Sequence, residues 1–496
     1  MAHGDFRETL QPIDIQRRLV VVATFTIGLL IGLYLLRVSL WQGARGLITY
    51  MVPLVVILWI VFARRHWWTI VPLALAFGGQ FYYGFRIKTF EMATLLSAVA
   101  LVPAIMLGHT RRVARPAVPR LTVPLLAYLG AHCIVSAYLA MVGGTGGLGQ
   151  LTRVYVSAAW ALCFLFAFQR YGDTRVLRAL WMGLLLVTFA RVTLGLVGYF
   201  SPRLLHIPFI NFVLPGAYTD GSDLRTSGLL LTALASMLAS IAQRRSVRVF
   251  FVVATFLSVW TVALGGSRVQ LASALLIPTL WALIGRRYLL LCTSMLVFVI
   301  FVVLINANPT MLYELPLHVR RTLSVFVLDA PTHTVHRLVE GSDDWHFELI
   351  RLGFERWTSS IGAVLFGTPI EPVDPRLLAL RYGDIENMAA LAARIGAYES
   401  GLWTVLAVLG IAGAAAYVTI FYQLLKPVVL DLMRHGIRDI ESAFGFLAVW
   451  NALTWLVFCW IAGAFPSQQL MLAAIASAAI YDRNQRLASA PELPAS

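Results

Sequence analysis

Charge is scarce in this chain. Only 13% of its 496 residues are Asp, Glu, Lys or Arg, whereas 59% are hydrophobic, and the mean hydropathy is +0.78. That balance excludes an ordinary soluble globular protein and implies a polytopic membrane protein. Cysteine is sparse too. The four present (Cys133, Cys163, Cys292 and Cys459) all fall inside apolar runs, which excludes a disulfide framework and offers no metal spacing. There is no glycine-rich phosphate loop and no carboxylate cluster of metal-binding type. Internal repeats and low-complexity tracts are lacking as well. No small-residue cleavage site follows the first apolar run, Leu19 to Leu36, so that run reads as a retained anchor and not as a removed signal peptide.

What the chain has in abundance is apolar sequence of membrane-spanning length. After the first run, others recur near 46–63, 67–85, 90–108, 121–141, 154–168, 176–200, 227–243, 249–266, 269–285 and 288–305. Three more follow, near 400–424, 443–464 and 467–482. About 20 apolar residues cross a hydrocarbon core of ~30 Å as a helix, which satisfies its own backbone polar groups. The expectation is a single all-α membrane domain over 1–496, a helix bundle of about 14 spans (12–14) with one large external loop containing short helices. The division between two of these spans rests on the single break Gly265-Gly266-Ser267-Arg268.

The net charge of +15 is distributed in small arginine clusters between apolar runs. A nucleic-acid surface would gather such charge on one soluble domain, so no nucleic-acid partner is expected. With the N-terminus inside, the inward connections hold 22 Lys and Arg and the short outward ones hold 8. Basic residues accumulate on the cytoplasmic side, so both termini are expected in the cytoplasm and the long polar insert, 306–398, outside it.

Within the insert, Ser342-Asp343-Asp344-Trp345 reads as a helix start, with a capping hydroxyl followed by acids near the positive end of the dipole. Trp345, Leu349, Leu352 and Trp357 would form its apolar stripe, with Glu348, Arg351, Glu355 and Arg356 elsewhere on the helix. Such a helix lies on the membrane face or caps the bundle. Residues 367–384 are rich in Gly, Pro and Asp and read as irregular loop. The insert's histidines (His318, His333, His336, His346) follow no metal-ligand spacing. His132 and Arg191 lie within spans, where a buried structural pairing is the expected role.

Three polar elements stand at the outer ends of late spans. They are Asp220-Gly-Ser-Asp223-Leu-Arg225-Thr-Ser-Gly228, then Gly265-Gly266-Ser267-Arg268, then Glu399-Ser400. Taken singly, each has a plain explanation: an outward arginine snorkels to headgroups, and a glutamate at a helix start favours the dipole. Taken together, two guanidinium groups with forked donors suit a diphosphate, and a carboxylate beside them suits removal of a proton from a sugar hydroxyl.

These elements resemble the O-antigen ligase and polymerase (Wzy-like) superfamily of bacterial membrane glycosyltransferases. The resemblance covers roughly 220–425. It rests on Arg225-Thr-Ser-Gly228, on Leu264-Gly-Gly-Ser-Arg268 opening a span, on the large external loop, and on Glu399-Ser400 followed after nine residues by Gly410-Ile-Ala-Gly413. The resemblance implies an enzyme acting outside the cytoplasmic membrane on undecaprenyl-diphosphate-linked glycan as donor and acceptor. The resemblance implies no cofactor, membrane lipid as the surroundings, and a chain-length regulator as a protein partner. It assigns Arg225 and Arg268 to the diphosphate and puts Glu399 where the ligases carry a histidine base. The flanking polar residues Asp223, Ser267, Tyr398 and Ser400 would then line the substrate site. Glutamate in place of histidine is more like the polymerases than the ligases. Two rivals are a lipid-linked oligosaccharide flippase and a polyprenyl-phosphate-sugar glycosyltransferase. The second calls for acids in the first external loop, and Arg37 to Arg45 has none.

Overall fold

The computed structural model describes residues 122–143, single positions of a helix between 182 and 200, and 222–489, the last interrupted chiefly at 309–313, 328–332, 371–384 and 461–466. Among these residues the regular elements are helices, with no strand. The spans expected at 19–36, 46–63, 67–85, 90–108 and 154–168 lie outside the described residues. Three helices (Arg245–Leu264, Gly401–His435 and Ile440–Phe458) are long and apolar enough to cross a membrane.

Helix α1 spans Thr122–Gly143. Helices α2 (Ser222–Ile241) and α3 (Arg245–Leu264) pack as an antiparallel hairpin through the three-residue turn Ala242-Gln243-Arg244. The break at Gly265 is real. Its N–H closes α3 on Thr261 O, and α4 starts at Arg268 and runs to Ile284. Helix α5 covers Tyr288–Ala307. The insert then contributes α6 (Leu317–Leu323), α7 (His333–Trp357), α8 (Ile361–Phe366) and α9 (Ile385–Arg394). The chain ends with α10 (Gly401–His435), α11 (Ile440–Phe458) and α12 (Ser467–Ser489).

Packing is tightest among the last three helices. Ile420, Val428 and Leu432 of α10 are fully buried in one core with Phe446 and Leu447 of α11 and the alanines 473, 474, 476 and 478 of α12. A helix with alanine at that density lets neighbouring backbones approach closely, which is how apolar helices gain dispersion contacts in lipid. Trp450 of α11 is buried, and its indole N–H donates to Ser273 O at 3.0 Å, joining α11 to α4. By contrast, α5 leaves Met295, Leu296, Val297, Val299 and Leu304 exposed, as suits a surface bathed in hydrocarbon.

The end of the bundle away from the insert is held by charge. Asp439 caps α11, accepting from Ser442 N while the Ser442 hydroxyl accepts from Asp439 N. Arg483 of α12 is buried and pairs with both Asp431 of α10 and Asp439. Removing one member of a buried pair leaves the other charged and desolvated. Arg483→Met should therefore cost about 3–5 kcal/mol of stability, read as the unfolding midpoint of the detergent-solubilised protein. Adding Asp431→Leu should recover much of that loss. Burial alone would raise the Asp439 carboxyl. The hydrogen bonds from Ser442 and the charge of Arg483 outweigh it and hold the group below the usual carboxylate range. A depressed pKa contributes stability above the ordinary value near ~4 and loses it as pH falls through the folded value. The cluster should thus weaken below about pH 4.

The insert is not wholly external to the bundle. Helix α10 is broken at Gly410, whose φ of 64° and ψ of −166° are closed to residues with side chains. Helix α8 and the turn after it fill the break. Thr368 donates to Ala407 O from both its N–H (2.9 Å) and its hydroxyl (3.0 Å). From the middle of α1, the Tyr128 hydroxyl donates to Leu409 O at 2.9 Å and His132 Nε2 to Phe366 O at 3.0 Å. Irregular backbone inside an apolar bundle persists only where its polar groups are satisfied, and here this chain satisfies them. His132 accordingly has the structural pairing expected of it.

Candidate functional site

One feature of the insert differs from expectation and a second goes beyond it, and both position the site. Helix α7 does not start at Ser342. It begins at His333 and runs through Ser342 and Asp343 without interruption. Arg337, Leu338 and Glu340 are good helix formers with no proline among them, so propagation from upstream overrides the capping signal. Arg356 was expected only to lie off the apolar stripe. It turns inward, donating to Thr368 Oγ1 (2.5 Å), Pro369 O (2.6 Å) and Ala393 O (2.8 Å). Through Thr368 it ties α7 to the break in α10.

The stripe itself behaves as its spacing requires. Leu349 is fully buried and Leu352 packs on the core. Phe354 and Trp357 of α7 meet Trp403, in the first turn of α10, at centroid distances of 5.9 and 6.2 Å. On the outer side Arg351 donates to Glu348 (2.9 Å) and to Glu355 (2.6 Å). Helix α7 is thereby laid across the insert end of α10 with Trp345 and His346 projecting toward the residues before Gly401.

Glu399 occupies that spot. Its φ of 52° is left-handed, which for a non-glycine residue costs about 1–3 kcal/mol and concentrates at functional positions. Its side chain is 53% exposed. The Trp345 indole N–H donates to Oε2 at 3.0 Å, and His346 Nδ1 lies 3.8 Å from the same oxygen. Glu348, on the outer side of α7, is the contrast. A hydrogen bond from Arg351, helped by that residue's charge against slight burial, holds its carboxyl low. A carboxylate clamped by guanidinium is a poor proton acceptor. Glu399 receives no guanidinium among the described residues and has one neutral donor.

The neighbours of Glu399 serve the scaffold. Ser400 is fully buried and its hydroxyl donates to Cys459 O at 2.6 Å, which also accepts Leu402 N. Tyr398 is buried, its ring packed against Gly353 of α7. Both fasten the segment that carries Glu399, and neither presents a surface to a ligand.

Arg268 is the first residue of α4 and half-buried. Its height follows from two contacts. Cys459 is level with Ser400, and Trp450, nine residues back along α11, is level with Ser273. At 1.5 Å per residue Ser273 lies about 13 Å below Ser400, and Arg268, five residues nearer the insert, lies about 6 Å below it. Arg268 and Glu399 therefore stand at the same end of the bundle. Asp223 and Arg225 occupy the first turn of α2, whose antiparallel partner α3 ends at Leu264 beside them in level. Ser267 lies outside the described residues. The insert reaches this end too, since Thr322 of α6 donates to Ala263 O at 3.2 Å.

Trp345 was expected only as apolar packing, and His346 only as a residue in no metal spacing. Each meets Glu399 across more than fifty residues of chain. No local pattern carries that signal. No protein-family model, no curated protein and no solved structure matches this chain.

Proposed function

We propose that this chain is an inverting membrane glycosyltransferase that polymerises undecaprenyl-diphosphate-linked oligosaccharide repeats into exopolysaccharide or O-antigen. The observation that carries the reading is Glu399: a strained, solvent-reaching carboxylate, free of guanidinium among the described residues, at the end of the bundle where Arg268 and Arg225 also stand. The hydroxyl of the acceptor sugar loses its proton to Glu399 as its oxygen attacks the anomeric carbon of the donor. The bond from that carbon to the lipid diphosphate breaks, and the electron pair leaves with the diphosphate. Arg225 and Arg268 stabilise the charge that develops there. One displacement inverts the carbon. In this reading the chain is a bundle of about 14 spans in the cytoplasmic membrane, with both termini inside and the site outside.

The broken α10 is the one observation that favours a lipid-linked oligosaccharide flippase, because interrupted helices commonly line transporter sites. Against it, the break is occupied by α8 and by Thr368, Tyr128 and His132 of this same chain.

Glycan analysis of cells lacking the gene separates the readings. Single repeats accumulating on the lipid support the polymerase. Long chains left on the lipid indicate a ligase that transfers finished glycan to an acceptor such as lipid A core. Repeats trapped on the cytoplasmic face indicate the flippase. In the same assay Arg268→Ala, expressed at normal level, should abolish polymer and accumulate single repeats; unchanged polymer length would remove Arg268 from the site.

A further inference from the structure

We propose that the end of the bundle opposite the insert is a binding surface for anionic phospholipid headgroups. The headgroups sit on an exposed rim of cations: Arg244, Arg245 and Arg248 at the α2–α3 corner, Arg286 after α4, and Lys426 and Arg434 on α10. This goes beyond the polymerase reading and does not depend on it. Charge at this end is sorted by sign. The carboxylates described there, Asp431, Asp439 and Glu441, are buried or half-buried, and Arg483 is buried with them. The ion pairs described there go to Arg483, His435 and Arg438. The six rim cations have none among the described residues. Exposed charge of one sign creates a field that draws anions from outside the chain.

The surface beside the rim fixes the class of anion. Val249 and Phe250 directly follow Arg248, Tyr288 and Leu289 closely follow Arg286, and all four are exposed. On α10, Val418, Tyr422, Lys426, Leu430 and Met433 make one exposed stripe at helical spacing. Lys426 is the one charge in that stripe, and its ammonium lies 5.4 Å from the centroid of the Tyr422 ring. A ligand that meets these cations therefore meets apolar side chains as well. Free phosphate or nucleic acid would satisfy the cations and leave the apolar stripe in water. A phospholipid of net negative charge satisfies both: its phosphate takes the guanidinium forks and the ammonium, while its acyl chains lie along the stripe. An aromatic ring next to a cation suits the same boundary between headgroup and hydrocarbon.

The test uses the full-length protein in neutral detergent, offered phosphatidylglycerol and phosphatidylcholine of identical acyl chains in equal amounts. Bound lipid is counted by native mass spectrometry. The wild-type chain should retain the anionic lipid over the zwitterionic one by about 10-fold or more, since each surface cation contributes about 5-fold. Raising the ammonium acetate concentration should shrink that preference, because exposed charges are screened. Lys426→Gln with Arg434→Gln should cut it by about 5-fold or more, and adding Arg244→Gln and Arg245→Gln should bring it near parity. Arg394→Gln removes the same charge from exposed α9 of the insert and should leave it unchanged. Equal retention of the two lipids by the wild-type chain, or an undiminished preference in the fourfold variant, overturns the proposal. If the glutamine variants unfold, Lys426→Arg with Arg434→Lys still decides: charge is kept, so a lost preference overturns the proposal and a kept one supports it. Displacement of the bound lipid by inorganic phosphate at matched concentration also overturns it, because the surface would then be a site for a soluble anion.

Discussion

Glu399→Gln is expected to reduce the rate of polymer extension by about 10²–10⁴-fold, the usual contribution of a general base, while the protein stays folded. The substitution keeps the shape of the side chain, and its amide oxygen can still accept the Trp345 indole N–H. What it loses is the capacity to take a proton. Folding should be untouched because the carboxylate is half exposed and bonded only through that one neutral donor among the described residues. The measurement is the rate of chain lengthening on lipid-linked glycan, with the unfolding midpoint of the purified variant alongside. Retained activity would show that proton removal lies elsewhere and would leave the strained geometry of Glu399 without a task. Glu348→Gln is the matched control. Its carboxylate is already engaged by Arg351 on the outer face, so the rate should not change.

The second large effect is structural. Gly410→Ala should destabilise the protein by about 3 kcal/mol or more. Two costs combine there. The backbone conformation at φ 64° and ψ −166° belongs to glycine alone. In addition, a β-carbon on Gly410 would sit 2.5 Å from the Leu365 carbonyl and the Gly367 nitrogen, which are backbone atoms held in place by α8. Gly367 has the reciprocal problem, because its β-carbon would meet the Val408 carbonyl at 2.3 Å. Gly436, at the far end of the same helix, has nearly the same backbone (φ 66°, ψ −163°) and nothing within 4 Å of an added carbon. Gly436→Ala therefore reports the conformational cost by itself, about 1–3 kcal/mol. Thermal unfolding of both variants in detergent measures the difference. Equal losses would mean that the close seating of α8 in the break contributes nothing. A loss confined to Gly410→Ala should also disturb activity, since Thr368 and Arg356 connect this seat to α7 and hence to Trp345 and His346.

Much of this arrangement was legible from residues alone, and the reasons are specific. Long apolar runs mark helices because an unpaired backbone is intolerable in lipid, and the described helices from α2 to α5 and from α10 to α12 fall on those runs. The break at Gly265 was legible because glycine and a charged residue interrupt an otherwise continuous apolar stretch. The stripe Trp345, Leu349, Leu352, Trp357 was legible because helical periodicity survives translation into packing. The start of α7 was misread, since a capping signal is local and a helix propagating from upstream ignores it. The role of Arg356 was not legible, because the carbonyls that satisfy it come from 369 and 393.

The sequence by itself determined that the described residues are helical, where their long apolar helices lie, and which carboxylate stands at the threshold of α10, because hydrophobic length and an isolated acid are properties of adjacent residues. Only the tertiary structure decided that part of the insert enters the bundle at Gly410, that Ser400 and Tyr398 are fasteners, and that Trp345 and His346 face Glu399. Those relations join groups far apart in the chain, and they are set by which carbonyls find donors and which side chains fill the space between helices.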